Sequence, residues 1–211
     1  MKNLVIIPTY NEADNILLLL SEILLLDVDV LVVDDNSPDG TQKLILEHDL
    51  FDRRVFILQR EAKLGLGSAY REGFQWGIDN KYHNMIQMDA DFSHQPLEIK
   101  SMVEILETEA DVIIGSRYVK GVNVVNWPLS RILLSYLASL YVQWITFMPV
   151  KDPTAGFVGY KREALEKIDF EKISLITPRT GCIPFHKAMD TQAIGNPRTK
   201  FIVPSRGSTI Q

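Results

Sequence analysis

A chain of 211 residues, 46% of them hydrophobic, is long enough for one substantial core and too short for two ordinary domains. Its 22 basic and 27 acidic residues leave a net charge of -5, which excludes a broad basic footprint of the nucleic-acid kind, so any phosphate chemistry has to come from local arrangement. The lone cysteine, Cys182, excludes an internal disulfide, and the N-terminus lacks the pattern of a signal peptide, so a reducing cytosolic setting is expected.

Taken in chain order, the first predicted strand is LVIIP (4 to 8), followed by the polar stretch PTYNE (8 to 12) and a helix over 12 to 25. A second strand, VLVVD (30 to 34), runs into DDNSPDG (34 to 40) and a helix over 40 to 48. The third, RVFIL (54 to 58), ends in QREAK and leads to a helix over 66 to 79. The fourth, MIQM (85 to 88), opens into DADFSH (89 to 94) and a helix over 96 to 108, and the fifth, DVIIG (111 to 115), is followed by SRY (116 to 118). The β-branched content and polar boundaries favour strands, and near-continuous hydrophobicity predicts strands buried on both faces. Strands alternating with helices imply an α/β fold with a doubly wound, mostly parallel sheet and flanking helices. In such a sheet the ligand lies beyond the carboxyl ends of the strands, so four polar clusters are expected on one rim.

The stretch from 132 to 150, ILLSYLASLYVQWITFMPV, carries no charge and is about as long as a minimal membrane span, but it is diluted by Ser135, Ser139, Gln143 and Thr146. A core helix, an interfacial helix lying against lipid and a true span all fit this pattern. Tyr136, Tyr141 and Trp144 suit a boundary between wet and apolar surroundings.

Asp89 and Asp91 stand two apart at a strand exit, where the period of two points both carboxylates to the same side. Hard oxygen ligands at that spacing suit Mg²⁺ or Mn²⁺, and turn and cap residues before the helix near Pro96 fit the same letters. Asp34 and Asp35 read as a good turn and helix cap, and beside PTYNE they read equally as the walls of a nucleotide pocket. In that pocket Tyr10 supplies an aromatic face, while Glu12 and Asp35 accept hydrogen bonds from a base edge and a ribose. Gly65 and Gly67 precede a helix, so backbone amides there have access to a phosphate, although the stretch is neither a Walker loop nor a dinucleotide fingerprint. VLVVDD also resembles the start of a phosphoacceptor receiver domain. Such a domain places its acceptor aspartate at the end of the third strand, where this chain has QREAK.

In order and spacing, PTYNE, VVDDNSPDGT, KLGLGSAY, MDADFSHQP and GSRYVKG together resemble the nucleotide-sugar-dependent glycosyltransferases of the GT-A fold. Within them the likeness is to the dolichyl-phosphate (polyprenyl-phosphate) mannosyltransferases, over residues 3 to about 173. The resemblance implies that Pro8, Tyr10, Glu12, Val33 and Asp35 contact the nucleoside of GDP-mannose. It assigns Asp89, Ala90 and Asp91 to a Mg²⁺ or Mn²⁺ ion and the diphosphate, with Ser93 beside them as a further ligand position. Arg117 would meet phosphate, so that Asp89, Asp91 and Arg117 form the catalytic set. The implied acceptor is a lipid phosphate, reached by peripheral contact through 128 to 150 on the cytoplasmic face of a membrane. There Arg131 and Ser135, four apart on one helical face, would receive the acceptor phosphate. No nucleic acid and no protein partner is implied.

After about Ser174 the likeness ends. Residues 174 to 211 are rich in Pro and Gly and poor in amphipathic periodicity, as in a disordered or frame-shifted tail behind a domain over 1 to 173. Beside the mannosyltransferase stand two other readings: a catalytically impaired nucleotide-sugar-binding remnant, and a related transferase using UDP-glucose or another acceptor.

Overall fold

The computed structural model describes residues 1–115 and 156–167. Arg117, Arg131, Ser135, Cys182, the 128 to 150 stretch and the tail from 174 lie outside the described residues.

The strands are β1 (Asn3–Thr9), β2 (Asp29–Asp34), β3 (Val55–Gln59), β4 (Asn84–Gln87), β5 (Val112–Ile114) and β6 (Val158–Lys161). The helices are α1 (Ile16–Ile23), α2 (Thr41–Leu46), α3 (Leu66–Asp79), α4 (Glu98–Thr108) and the short α5 (Arg162–Leu165). Among the described residues the strands form one sheet in the order β3-β2-β1-β4-β6-β5. β1, β2, β3 and β4 pair in parallel, with Ile6 opposite Leu31 on one side and Gln87 on the other.

Side chains alternate across β1, and both faces are covered. Leu4 and Ile6 join Leu31, Val33, Phe74, Met85 and Tyr160 on the α3 side, while Val5 and Ile7 pack with residues of α1, α2 and α4. This is the doubly wound arrangement that the hydrophobic runs predicted. The α3 bounds also match the expected 66 to 79.

Strand β6 was not expected. It is antiparallel to both β4 and β5 and separates them, so the sheet is mixed at this edge instead of parallel throughout. Because β6 opposes both neighbours, β4 and β5 still run the same way, and the carboxyl ends of β1 to β5 share one rim. The order also removes the receiver alternative, whose sheet runs 2-1-3-4-5.

Helix α3 sits close to the sheet because it presents glycine there. A Cβ on Gly73 would lie 2.5 Å from Ile6 Cγ2 and 3.3 Å from Val33 Cγ2. Overpacking costs about 1–3 kcal/mol, against about 1 kcal/mol gained in helix propensity. Ile6 is β-branched and stiff. Gly73→Ala is therefore expected to lower stability by up to about 2 kcal/mol net. A urea midpoint at or above that of the parent protein would contradict this.

Candidate active site

The strand order itself locates a crevice. The chain steps outward from β1 to β2 to β3 and then returns to place β4 on the other side of β1. A ligand in an open α/β sheet binds at such a reversal, outside the carboxyl ends of the strands. At this point the loop after β1 (Tyr10 to Asn15) and the loop after β4 (Met88 to Leu97) leave the carboxyl ends of neighbouring parallel strands.

The loops after β1 and β2 are stitched together. Asp35 N–H donates to the Thr9 carbonyl at 3.0 Å. Asn11 N–H donates to Ser37 Oγ at 3.0 Å, Glu12 N–H to Thr41 Oγ1 at 3.1 Å, and Ala13 N–H to Asp39 Oδ2 at 2.9 Å. Asn11 and Asn36 take left-handed backbone angles, φ 63° and 58°, which asparagine tolerates better than most residues. The cradle is thus held by the chain's own hydrogen bonds.

The two adjacent aspartates divide the work. Asp34 is fully buried and structural: it accepts from Thr9 Oγ1 (2.7 Å), Ser37 N–H (2.8 Å), Ser37 Oγ (2.6 Å) and Gln42 Nε2 (2.6 Å). Asp35 Oδ1 accepts from Arg60 Nη1 at 2.5 Å, with both side chains almost wholly out of solvent. Arg60 also donates to Ser68 Oγ at 2.5 Å, and its Nε lies 3.3 Å from Glu72 Oε2. Arg60, which links Asp35 to α3, was not singled out by the sequence.

Asp39 is the exposed tie of the cradle. Its slight burial pushes the carboxyl up, but hydrogen bonds from the Thr41 hydroxyl, Ala13 N–H and Thr41 N–H outweigh it and hold the group below its ordinary 3.8. A depressed carboxyl stabilises the fold above its unfolded value and loses that contribution as pH falls through its folded value. Asp39→Ala is accordingly expected to lower Tm most above about pH 5, with the gap closing as pH falls below about 4. A gap independent of pH would contradict this.

The expected site residues fall into distinct environments. Tyr10 is 38% exposed, as an aromatic platform requires, but the Lys63 ammonium sits 3.8 Å from its ring centroid. Pro8 and Glu12 are half-buried at the rim, and Glu12 accepts from Asn15 Nδ2 at 3.0 Å. Val33 and Ala90 are 0% and 4% exposed, with their side chains in the core, so the contacts expected of them with a nucleoside and a diphosphate would run through backbone groups.

The shared orientation expected of Asp89 and Asp91 needs correction. β4 ends at Gln87, so the strand period does not extend through them. Asp89 is half-buried, and its Oδ1 accepts from the Tyr70 hydroxyl at 2.9 Å. Asp91 is exposed, and its Oδ1 accepts from Ser93 N–H at 2.9 Å, while Ser93 is half-buried. Gly156 lies so close that a Cβ there would collide with Asp89 Oδ2. Tyr70 and Gly156 therefore both bear on Asp89 at this corner.

The donor set fits a hard divalent cation. Asp89 and Asp91 offer carboxylate oxygens of the kind Mg²⁺ takes in ones and twos beside substrate phosphates. Among the described residues no three or more His, Cys, Asp or Glu side chains are gathered into a metal cluster. A cage built of protein ligands alone is therefore not what these residues form.

The profile of Glycosyl transferase family 2 matches residues 4–169. The chain belongs to this family. As a family 2 glycosyltransferase it is 45% identical over 175 residues to polyprenol monophosphomannose synthase of Mycolicibacterium smegmatis, covering 82% of this chain and 66% of that protein. It is 43% identical over 175 residues to undecaprenyl-phosphate mannosyltransferase of Micrococcus luteus, covering 82% of this chain and 72% of that protein. Among solved structures, a mannosyltransferase of Pyrobaculum calidifontis in complex with GDP-Man and Mn²⁺ superposes with a TM-score of 0.61 at 20% identity, covering 96% of this chain and 54% of that one. At that identity the likeness establishes the fold, which is the GT-A architecture expected from the motifs.

Proposed function

We propose that this glycosyltransferase moves mannose from GDP-mannose to a polyprenyl phosphate at a membrane surface, with inversion at the anomeric carbon. The observation that carries the substrate reading is the identity of 45% and 43% to two proteins named for mannosyl transfer to polyprenyl carriers. The geometry supports the chemistry, since a stitched cradle and Asp89 flank the reversal of strand order between β1 and β4.

Tyr10, Glu12 and Asp35 would hold the nucleoside, with the backbone of Pro8 and Val33 beneath it. Asp89 and Asp91, with Ser93 and the backbone of Ala90 beside them, would hold Mg²⁺ or Mn²⁺, which when bound supplies Lewis-acid stabilisation to the departing diphosphate. Two of the chain's structural neighbours were solved with Mn²⁺, one with GDP-Man and one with UDP-glucose. The acceptor phosphate is already largely ionised near neutral pH, its second pKa being about 6, so its oxygen attacks without a strong general base. Catalysis is then mainly positioning of acceptor oxygen, anomeric carbon and leaving diphosphate in line.

Arg117 as a phosphate contact, and Arg131 and Ser135 as acceptor contacts within a peripheral membrane segment, remain part of this reading on the strength of the sequence. Among the described residues no helix is long and apolar enough to cross a membrane. The second reading, a chain that binds donor without turnover, is favoured by the departure from the family pattern after about Ser174.

The test is incubation with labelled GDP-mannose, Mg²⁺ and polyprenyl phosphate, with UDP-glucose in a parallel arm. Label moving into organic solvent from GDP-mannose is the expected result. Binding of GDP with no transfer would establish the remnant instead, and transfer from UDP-glucose alone would reassign the donor.

A further inference from the structure

Beneath Asp89 lies a closed ring of contacts drawn from three elements. From α3, the Tyr70 ring stacks on Phe74 with centroids 6.3 Å apart, and Phe74 meets Tyr160 of β6 edge-on at 5.3 Å. The Tyr160 hydroxyl donates to Gln87 Oε1 at 3.5 Å, and Gln87 Nε2 at the end of β4 donates to the Gly156 carbonyl at 3.3 Å. Gly156 then abuts Asp89 Oδ2, and Asp89 Oδ1 returns to the Tyr70 hydroxyl at 2.9 Å. Tyr70, Phe74, Gln87 and Tyr160 are all at most 3% exposed.

We propose that Tyr70 and Gly156 are positioning residues for the donor site: the hydroxyl grips one carboxylate oxygen of Asp89 and the bare Cα confines the other, fixing the acid in one orientation. This rests on the reading of Asp89 as a cation and diphosphate ligand and deepens it. The physical reason is pre-organisation. A carboxylate half in solvent samples several χ2 angles, and each wrong one has to be abandoned when the ligand arrives. A buried tyrosine needs a partner for its hydroxyl in any case. Here a partner is Asp89 just beyond the strand exit, and its donor sits on a rigid helix anchored through Phe74. The absence of a Cβ at 156 removes the wall that would push Oδ2 away. Groups that orient a metal-binding residue typically govern cation affinity by 10- to 100-fold, without touching the cation themselves.

The experiment compares the parent protein, Tyr70→Phe and Gly156→Ala by the EPR signal of free Mn²⁺ titrated in the presence of GDP. GDP affinity without cation, Tm and the transfer rate are measured alongside. Tyr70→Phe keeps the ring and its stacking and loses only the hydroxyl. The expected result is an Mn²⁺ half-saturation raised about tenfold or more in both variants, a lower kcat, and cation-free GDP binding unchanged. Unchanged Mn²⁺ titration in Tyr70→Phe, with a parent protein that binds Mn²⁺ and transfers mannose, overturns the positioning role alone. Equal loss of cation-free GDP binding in Tyr70→Phe also overturns it, because the hydroxyl would then support the fold and not the acid. A parent protein that neither takes up Mn²⁺ with GDP nor transfers mannose overturns the functional reading, and this inference with it.

Discussion

Replacing Asp89 by asparagine is expected to slow mannosyl transfer by about 100- to 1,000-fold while leaving the fold intact. The side chain is sterically matched, and its Oδ1 can still accept from the Tyr70 hydroxyl, which now stands at 2.9 Å. What disappears is a negative charge in a half-buried corner, where water screens it less than at the open surface. If that charge serves only to end β4 and begin the turn, asparagine serves as well and the rate stays near that of the parent protein. If it holds a divalent cation against the leaving diphosphate, the loss falls on the chemical step. Single-turnover transfer at saturating GDP-mannose distinguishes the two, and a residual rate above about a tenth of the parent's would defeat the assignment. Asp91→Asn is the milder change. Its carboxylate is exposed and its Oδ1 is engaged by Ser93 N–H, an acceptor role that asparagine preserves.

The legibility of this site differed from residue to residue for physical reasons. β1, β2 and α3 could be read directly because local pattern and tertiary role coincide: LVIIP and VLVVD are buried on both faces, and the α3 bounds follow its apolar spacing. β6 could not. It is four residues long with Gly159 inside it, and its strand character comes from pairing with β4 and β5, which local sequence does not encode. The convergence of the polar loops after β1, β2 and β4 on one rim followed from a topological rule and held, while SRY (116 to 118) lies outside the described residues. The orientation of Asp89 and Asp91 depended on how far a strand extends, and boundaries are where periodicity loses its hold. Arg60 and Tyr70 were invisible for another reason. Their partners, Asp35 and Asp89, stand 25 and 19 residues away, and only the folded sheet brings each pair into contact.

Arg60→Leu is expected to be the most destabilising single change in the described cradle, costing about 3–5 kcal/mol. The Arg60 and Asp35 side chains are 3% and 8% exposed. Taking away the guanidinium strands a carboxylate in a corner with little access to water, and that penalty exceeds the net worth of the pair. For a chain of this size the loss corresponds to a fall in Tm of roughly 6 to 20 °C. Asp35→Asn should cost less, because a neutral amide can still accept from the guanidinium. The informative variant is the double one, Arg60→Leu with Asp35→Asn. With no buried charge left unpaired, it should regain part of the stability lost by Arg60→Leu alone, giving a coupling of at least 1 kcal/mol in a double-mutant cycle. Strict additivity would mean that the two side chains are merely neighbours. The same cycle followed by GDP binding separates stability from function. If Asp35 accepts from the nucleoside, the double variant refolds the cradle but still binds GDP weakly, since what it recovers is the absence of a stranded charge and not the acceptor the ligand needs.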